Sequence, residues 1–240
     1  MNSGRAPLRI AHGYGNSRTA LDLALAAEVD MIEADIWYRA GRVWVRHERR
    51  LGPLPILADQ RSKGCRYLGR WAVTVWPNHY LRPEIDALYL EELVERVDGR
   101  RRLLLDVKGS YEGKAADAFV SVLAGLPAEQ AAVCGQVWGM LDRLRERAPH
   151  LPVRYSIERR SQWERFLRLL ATDGGAGRVC IQHRFMDEAK ARYLGEKGVD
   201  VYCWTVDDRD EAERLVAAGV DGIISNDLEL LASLGRGEAG

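Results

Sequence analysis

The chain predicts a parallel (β/α)8 barrel, a TIM barrel, with a hairpin and a long excursion after the second strand. Three observations lead there. Eight short β-rich runs alternate with amphipathic stretches of helical period, and 240 residues is a length that accommodates eight such units. Doubly wound sheets share the alternation, so the third observation decides. Polar residues close the C-terminal ends of different strands, the end at which barrel active sites are assembled.

Leu8–Ala11 is the first run and stops at His12. Thr19–Ala27 follows at helical spacing, with Asn16 placed either to cap it or to support His12. Met31–Ile36 is the second run. Residues two apart on a strand face one side, so Glu33 and Asp35 project together while Ile32, Ala34 and Ile36 pack behind them. Trp37–Gly41 then turns into Arg42–His47, a hairpin-like return that brings His47 back toward the two carboxylates. The segment Glu48–Leu88 holds Gly, Pro and aromatic residues (Tyr67, Trp71, Trp76, Tyr80) without clear periodicity. It reads as a lid, a lipid-facing patch or a satellite core, of which the last needs no function.

Leu90–Val97 is helical, and Leu103–Val107 is the third strand, with Asp106 and Lys108 at its end. The other strands are Ala132–Val137, Val153–Ile157, Val179–Ile181, Val201–Val206 and Gly222–Ser225. Ala115–Leu123, Leu141–Arg147, Gln162–Leu170, Asp187–Glu196 and Asp210–Ala217 are the helical stretches between them, and Asn226 and Asp227 are placed to cap a last helix. Ser156, Glu158, Gln182, His183 and Trp204 sit at strand ends; Trp204 reads either as buried core or as a wall of the site. No linker or internal repeat interrupts the pattern, so residues 1–240 read as a single domain.

Lys plus Arg equals Asp plus Glu at 35 each, which leaves no bulk charge to hold a nucleic acid. Only five of those basic residues are Lys, so Lys108 at a strand end stands out. Cys65, Cys134, Cys180 and Cys203 lack CxxC spacing and read as reduced, structural thiols of a cytoplasmic protein. The first nine residues lack the apolar region of a signal peptide, and no run of about 18 apolar residues occurs, so no transmembrane segment is expected. Oligomeric state is not legible. Glu33 and Asp35 offer paired hard oxygen ligands suited to Mg2+ or Ca2+, flanked by His12 and His47 as candidate acid and base.

One ordered set of motifs runs through this frame: Ala11-His12, Asn16-Ser17, Glu33-Ala34-Asp35, Val45-Arg46-His47-Glu48, Leu105-Asp106-Val107-Lys108, Cys203-Trp204-Thr205-Val206 and the run from Gly219 to Asp227. In this order it resembles the glycerophosphodiester phosphodiesterase family, of the same barrel superfamily as phosphatidylinositol-specific phospholipase C and the sphingomyelinase D-like phospholipases. The resemblance implies a divalent metal, Mg2+ or Ca2+, held by Glu33, Asp35 and Asp106. It further implies His12 and His47 as the acid/base pair and Lys108 beside the phosphate. The chemistry asks for the same groups. A phosphodiester resists nucleophiles until charge on its nonbridging oxygens is neutralised, and its leaving alkoxide needs a proton.

Three positions depart from the family pattern. Gly13 stands where an arginine usually follows the first histidine, Glu48 where Asp is usual, and Asp106 where Glu is usual. Gly13 and the Asp-x-Lys pair look more like the sphingomyelinase D-like branch. The Trp204-Thr205-Val206 and Gly219–Ile224 segments look instead like the bacterial phosphodiesterases. The expected substrate is a small glycerophosphodiester, with two alternatives: a phospholipase D-like activity on lysophospholipids, or a barrel that binds a phosphorylated ligand without turnover.

Overall fold

The computed structural model describes residues 6–47, 57–60, 73–76, 79–82, 88–172 and 177–234, with only the backbone described between 57 and 82. In chain order the elements begin with β1 (Leu8–Ala11), α1 (Arg18–Ala26), β2 (Met31–Arg39), β3 (Arg42–Val45), β4 (Leu57–Gln60), β5 (Val73–Trp76), β6 (His79–Arg82), β7 (Leu88–Tyr89), α2 (Leu90–Val97) and β8 (Arg102–Val107). They continue with α3 (Gly113–Ala124), β9 (Ala131–Gly135), α4 (Trp138–Arg147), β10 (Val153–Ile157), α5 (Arg160–Thr172), β11 (Arg178–Gln182), α6 (Glu188–Glu196), β12 (Asp200–Trp204), α7 (Arg209–Ala217), β13 (Gly222–Ser225) and α8 (Leu228–Leu234).

Eight of the strands form a closed parallel sheet. The order is β1, β13, β12, β11, β10, β9, β8, β2, and β1 also pairs with β2, so no edge is left among them. This is the TIM barrel that the alternation predicts. Strand alternation divides its core in two. Ile10, Met31, Leu104, Ala132, Cys134, Cys180, Tyr202 and Ile224 fill the interior, while Ile32, Ala34, Leu103, Leu105, Val133, Val179 and Val201 pack outward in the larger core under the helices. Near the strand starts, Arg154 lies over the Tyr202 ring at 3.3 Å and pairs with Asp200, so a buried guanidinium is part of the interior packing.

β2 runs three residues beyond its predicted end because Trp37, Tyr38 and Arg39 gain antiparallel partners in β3. The turn between them places Ala40 and Gly41 at φ 50° and 81°, the two left-handed residues of a hairpin turn whose twist matches its strands. β7 pairs with β3, and β4, β6 and β5 form a separate antiparallel sheet. Tyr67 and Trp71 lie outside the described residues, as do Glu48, Cys65 and the side chains of Trp76, His79 and Tyr80. β9 and β12 each stop two residues earlier than predicted, at Gly135 and Trp204, where the chain leaves the sheet at the C-terminal rim of the barrel.

Helix starts follow side-chain chemistry. Ser17 accepts from the Ala20 N–H, Asp187 from Lys190, Asp208 from Glu211, and Asp227 from Glu229 and Leu230. Ser17, not Asn16, therefore caps α1. α1 and α2 are tied by Glu92, which accepts from Arg18 at 2.6 and 2.7 Å and from Arg96 at 3.0 Å. The Arg18 hydrogen bonds hold its carboxyl well down, at about 2. A depressed carboxyl pKa stabilises the fold above the ordinary value, and that contribution is lost as pH falls through the folded one. Glu92→Gln is therefore expected to cost about 1 kcal/mol at neutral pH. In urea melts the gap from the unaltered protein should narrow as pH drops from 4.5 toward 2.

Candidate active site

The C-terminal ends of the barrel strands surround a cavity of about 260 Å3, lined by His12, Glu33, Asp35, His47, Asp106, Lys108, Cys134, Gln136, Ser156, Glu158, Cys180, Trp204 and Ile224. All seven site residues predicted from sequence meet there. Glu33 and Asp35 share one face of β2, and Asp35 stands directly opposite Asp106 of β8 in register. Carboxylate oxygens of Glu33, Asp35 and Asp106 lie within 4.8 Å of one another.

The loop after β1 is shaped around these acids. Gly13 adopts a left-handed φ of 72° and its N–H donates to Glu33 Oε2 at 2.6 Å. Asn16 grips Asp35 twice: its Nδ2 donates to Asp35 Oδ2 at 2.7 Å, and its Oδ1 accepts from the Asp35 N–H at 2.8 Å. A Cβ at Gly15 would stand 2.5 Å from Ala34 Cβ, so only glycine lets the loop lie this close to β2. A Cβ at Gly135 would likewise stand 2.9 Å from the Val107 carbonyl and 3.2 Å from Asp106 Oδ1.

Burial and crowding set the charges. Burial pushes the Glu33 carboxyl well above its usual range, and Asp35 and Asp106 push it further. Burial alone would raise Asp35 too, but Lys108 and the nearby histidines outweigh it and hold this acid at about 2. Asp106 is raised by burial, against the pull of Lys108. Lys108 itself reaches Asp106 at 2.5 Å and Asp35 at 2.9 Å, and these acids overcome the effect of burial and hold its ammonium protonated.

His12 is positioned by a chain of contacts that sequence reasoning missed. Asp207 accepts from the Asn226 Nδ2 and backbone N–H, both at 2.8 Å, and from Ser225 Oγ. A carboxylate only accepts here, so the Asn226 amide nitrogen faces Asp207 and its Oδ1 faces His12 Nδ1 at 3.1 Å. Nδ1 then carries the proton, and Nε2 presents its lone pair toward the cavity, 4.0 Å from Glu33. Burial drops the His12 pKa to about 4, which keeps the ring neutral near pH 7. Tyr14 donates to the Asn226 carbonyl at 3.0 Å, locking the first and last strands together beside the site. Asn226 is thus a support for His12, while Asp227 alone takes the capping role. Gln136 closes β9 and was not anticipated. Gln182 lies outside the cavity lining, and His183 turns away to Glu211 at 3.1 Å.

The donor set fits a hard divalent cation. Asp106 Oδ1 is buried with no hydrogen-bond partner, although its side chain is ionisable and borders two other acids. A buried acceptor so placed is costly unless a cation completes it. Oxygen-only ligands suit Mg2+ or Ca2+.

The chain is similar to several known proteins. The model of the glycerophosphoryl diester phosphodiesterase family matches residues 106–230. Glycerophosphodiester phosphodiesterase GDPD4 of Arabidopsis thaliana is 26% identical over 250 aligned positions, covering 95% of this chain and 73% of the relative. Among solved structures, an Oleispira antarctica phosphodiesterase in complex with the product sn-glycerol-3-phosphate superposes with a TM-score of 0.69 at 17% identity, over 96% of this chain and 97% of that one. The Thermotoga maritima glycerophosphodiester phosphodiesterase superposes at 0.68 with 18% identity, over 96% and 99%.

Two outcomes follow from the geometry. Asp106→Asn should weaken Mg2+ or Ca2+ binding by at least roughly tenfold in isothermal titration, since even outer-shell changes cost that much; an unchanged isotherm would remove Asp106 from the ligand set. Nitrogen-15 NMR at pH 7 should find His12 as the neutral Nδ1–H tautomer, and Asn226→Ala should give mixed tautomers.

Proposed function

The chain belongs to the glycerophosphoryl diester phosphodiesterase family, and from that premise we propose that it hydrolyses glycerophosphodiesters to glycerol phosphate and an alcohol, with His12 and His47 as acid/base pair and a divalent metal at Glu33, Asp35 and Asp106. One observation carries this reading: three acids, a lysine and two histidines converge on a single cavity at the catalytic end of the barrel. When bound, Mg2+ or Ca2+ would supply Lewis-acid neutralisation of charge on the nonbridging phosphate oxygens.

The chain's own residues do the rest. Lys108, kept charged by Asp35 and Asp106, is the cation positioned to bind the phosphate. His12 Nε2 takes the proton of the attacking hydroxyl. It can do so because Nδ1 is committed to Asn226. Attack by water gives glycerol phosphate directly, whereas attack by the substrate's own glycerol hydroxyl gives a cyclic phosphate that a water must then open. As the new P–O bond forms and the old one breaks, His47 delivers a proton to the departing alkoxide. Trp204, at the end of β12, forms part of the cavity wall. The three cysteines with described side chains are free, and among the described helices none is long and apolar enough to cross a membrane. The free cysteines support a cytoplasmic enzyme.

Steady-state assays on glycerophosphocholine with Mg2+ test the roles. His12→Ala should lower kcat by about two orders of magnitude or more while leaving metal affinity nearly unchanged; a variant that keeps full activity would remove His12 from the mechanism. Faster turnover of lysophosphatidylcholine than of glycerophosphocholine would reassign the substrate to lysolipids.

A further inference from the structure

The balanced total charge conceals a segregation. Residues 39–82 hold ten of the chain's 35 Lys and Arg but two of its 35 Asp and Glu, so a surplus of eight positive charges here is matched by an equal acidic surplus elsewhere. His47, the last described residue of the hairpin, lines the cavity. The chain leaves the hairpin after His47 and returns to it as β7, which pairs with β3.

Where side chains are described, basic and aromatic residues interleave on one face of the hairpin. Val43 and Val45 are buried, so Arg42, Trp44 and Arg46 point to the other side, which Trp37 and Arg39 of β2 share in line with Glu33 and Asp35. Arg42 stacks 3.4 Å over Tyr89, Arg46 lies 4.7 Å over Trp44, and the Trp44 and Tyr89 rings are 5.0 Å apart. Arg42 is 51% exposed and its acidic neighbour Glu91, at 3.8 Å, is more exposed still. Among the described residues Arg39 enters no ion pair. None of these arginines lines the catalytic cavity.

We propose that this arginine–aromatic rim docks the protein onto an anionic phospholipid bilayer, with the cavity mouth turned toward the headgroups. Guanidinium groups are drawn to an anionic surface, and indole and phenol rings settle at the headgroup level. A nucleic acid fits less well. Single strands need open aromatic faces for base stacking, whereas the Tyr89 and Trp44 rings are already covered by Arg42 and Arg46. Docking does not depend on turnover, so its failure would leave the hydrolytic reading standing.

The test is sedimentation of the full chain with vesicles of phosphatidylcholine alone, or with phosphatidylglycerol as about a third of the lipid. Binding is expected only to the anionic vesicles and should weaken as salt rises. Arg39→Glu combined with Arg42→Glu should reduce that affinity by at least roughly tenfold, with hydrolysis of soluble glycerophosphocholine unchanged. Equal binding to both vesicle types, binding to neither, insensitivity to the double substitution, or tighter binding to a single-stranded oligonucleotide would each overturn the proposal.

Discussion

Everything at the catalytic end is organised by the crowding of three carboxylates, two of them buried and the third, Asp106, half-buried. Glu33, Asp35 and Asp106 bring oxygens within 4.8 Å of one another in a site largely screened from water. Two unit charges about 4 Å apart repel by about 4 kcal/mol at an effective dielectric of about 20. A crowd of this kind survives only with compensation. Lys108 supplies a full positive charge at 2.5 and 2.9 Å, the Gly13 N–H meets Glu33, and the Asn16 amide meets Asp35. Asp106 Oδ1 still has no hydrogen-bond donor, which is the condition a divalent cation would relieve.

The same compensation shapes the loop that presents the histidine. To bring Gly13 N–H and Asn16 to the acids, residues 13–16 must lie against β2, which the absence of a side chain at Gly15 permits. That path leaves His12 at the cavity wall, where the Asp207–Asn226 pair fixes its proton on Nδ1. Tyr14 joins the loop to Asn226, so the seam between β1 and β13 and the orientation of the imidazole are held by one set of contacts. Stability and reactivity therefore converge on the residues that close the barrel.

Most of the architecture, and the meeting of these acids, the lysine and the histidines at one cavity, were legible because they rest on local rules. Period-two alternation was enough to place Glu33 and Asp35 on one face, and a polar residue ending an apolar run was enough to place Asp106 and Lys108 at the rim. What escaped depends on contacts across the chain. Asn226 reaches His12 across 214 residues, and Asp207 lies between them in a stretch with no local signal beyond a loop. Asn16 looked like a helix cap because Asn favours that position, but Ser17 takes the cap and Asn16 answers the stronger demand of a buried carboxylate. β2 outran its predicted end because its extension is stabilised by the returning strand rather than by its own pattern.

The most direct measurement is phosphorus-31 NMR of metal-stripped protein with glycerophosphocholine, glycerophosphoethanolamine and glycerophosphoinositol, before and after addition of Mg2+ or Ca2+. If the acid cluster is a metal site serving His12 and His47, the diester signals persist in chelator and convert to glycerol phosphate once metal is added. Equal conversion in chelator, or metal binding without conversion of any of the three diesters, would contradict it.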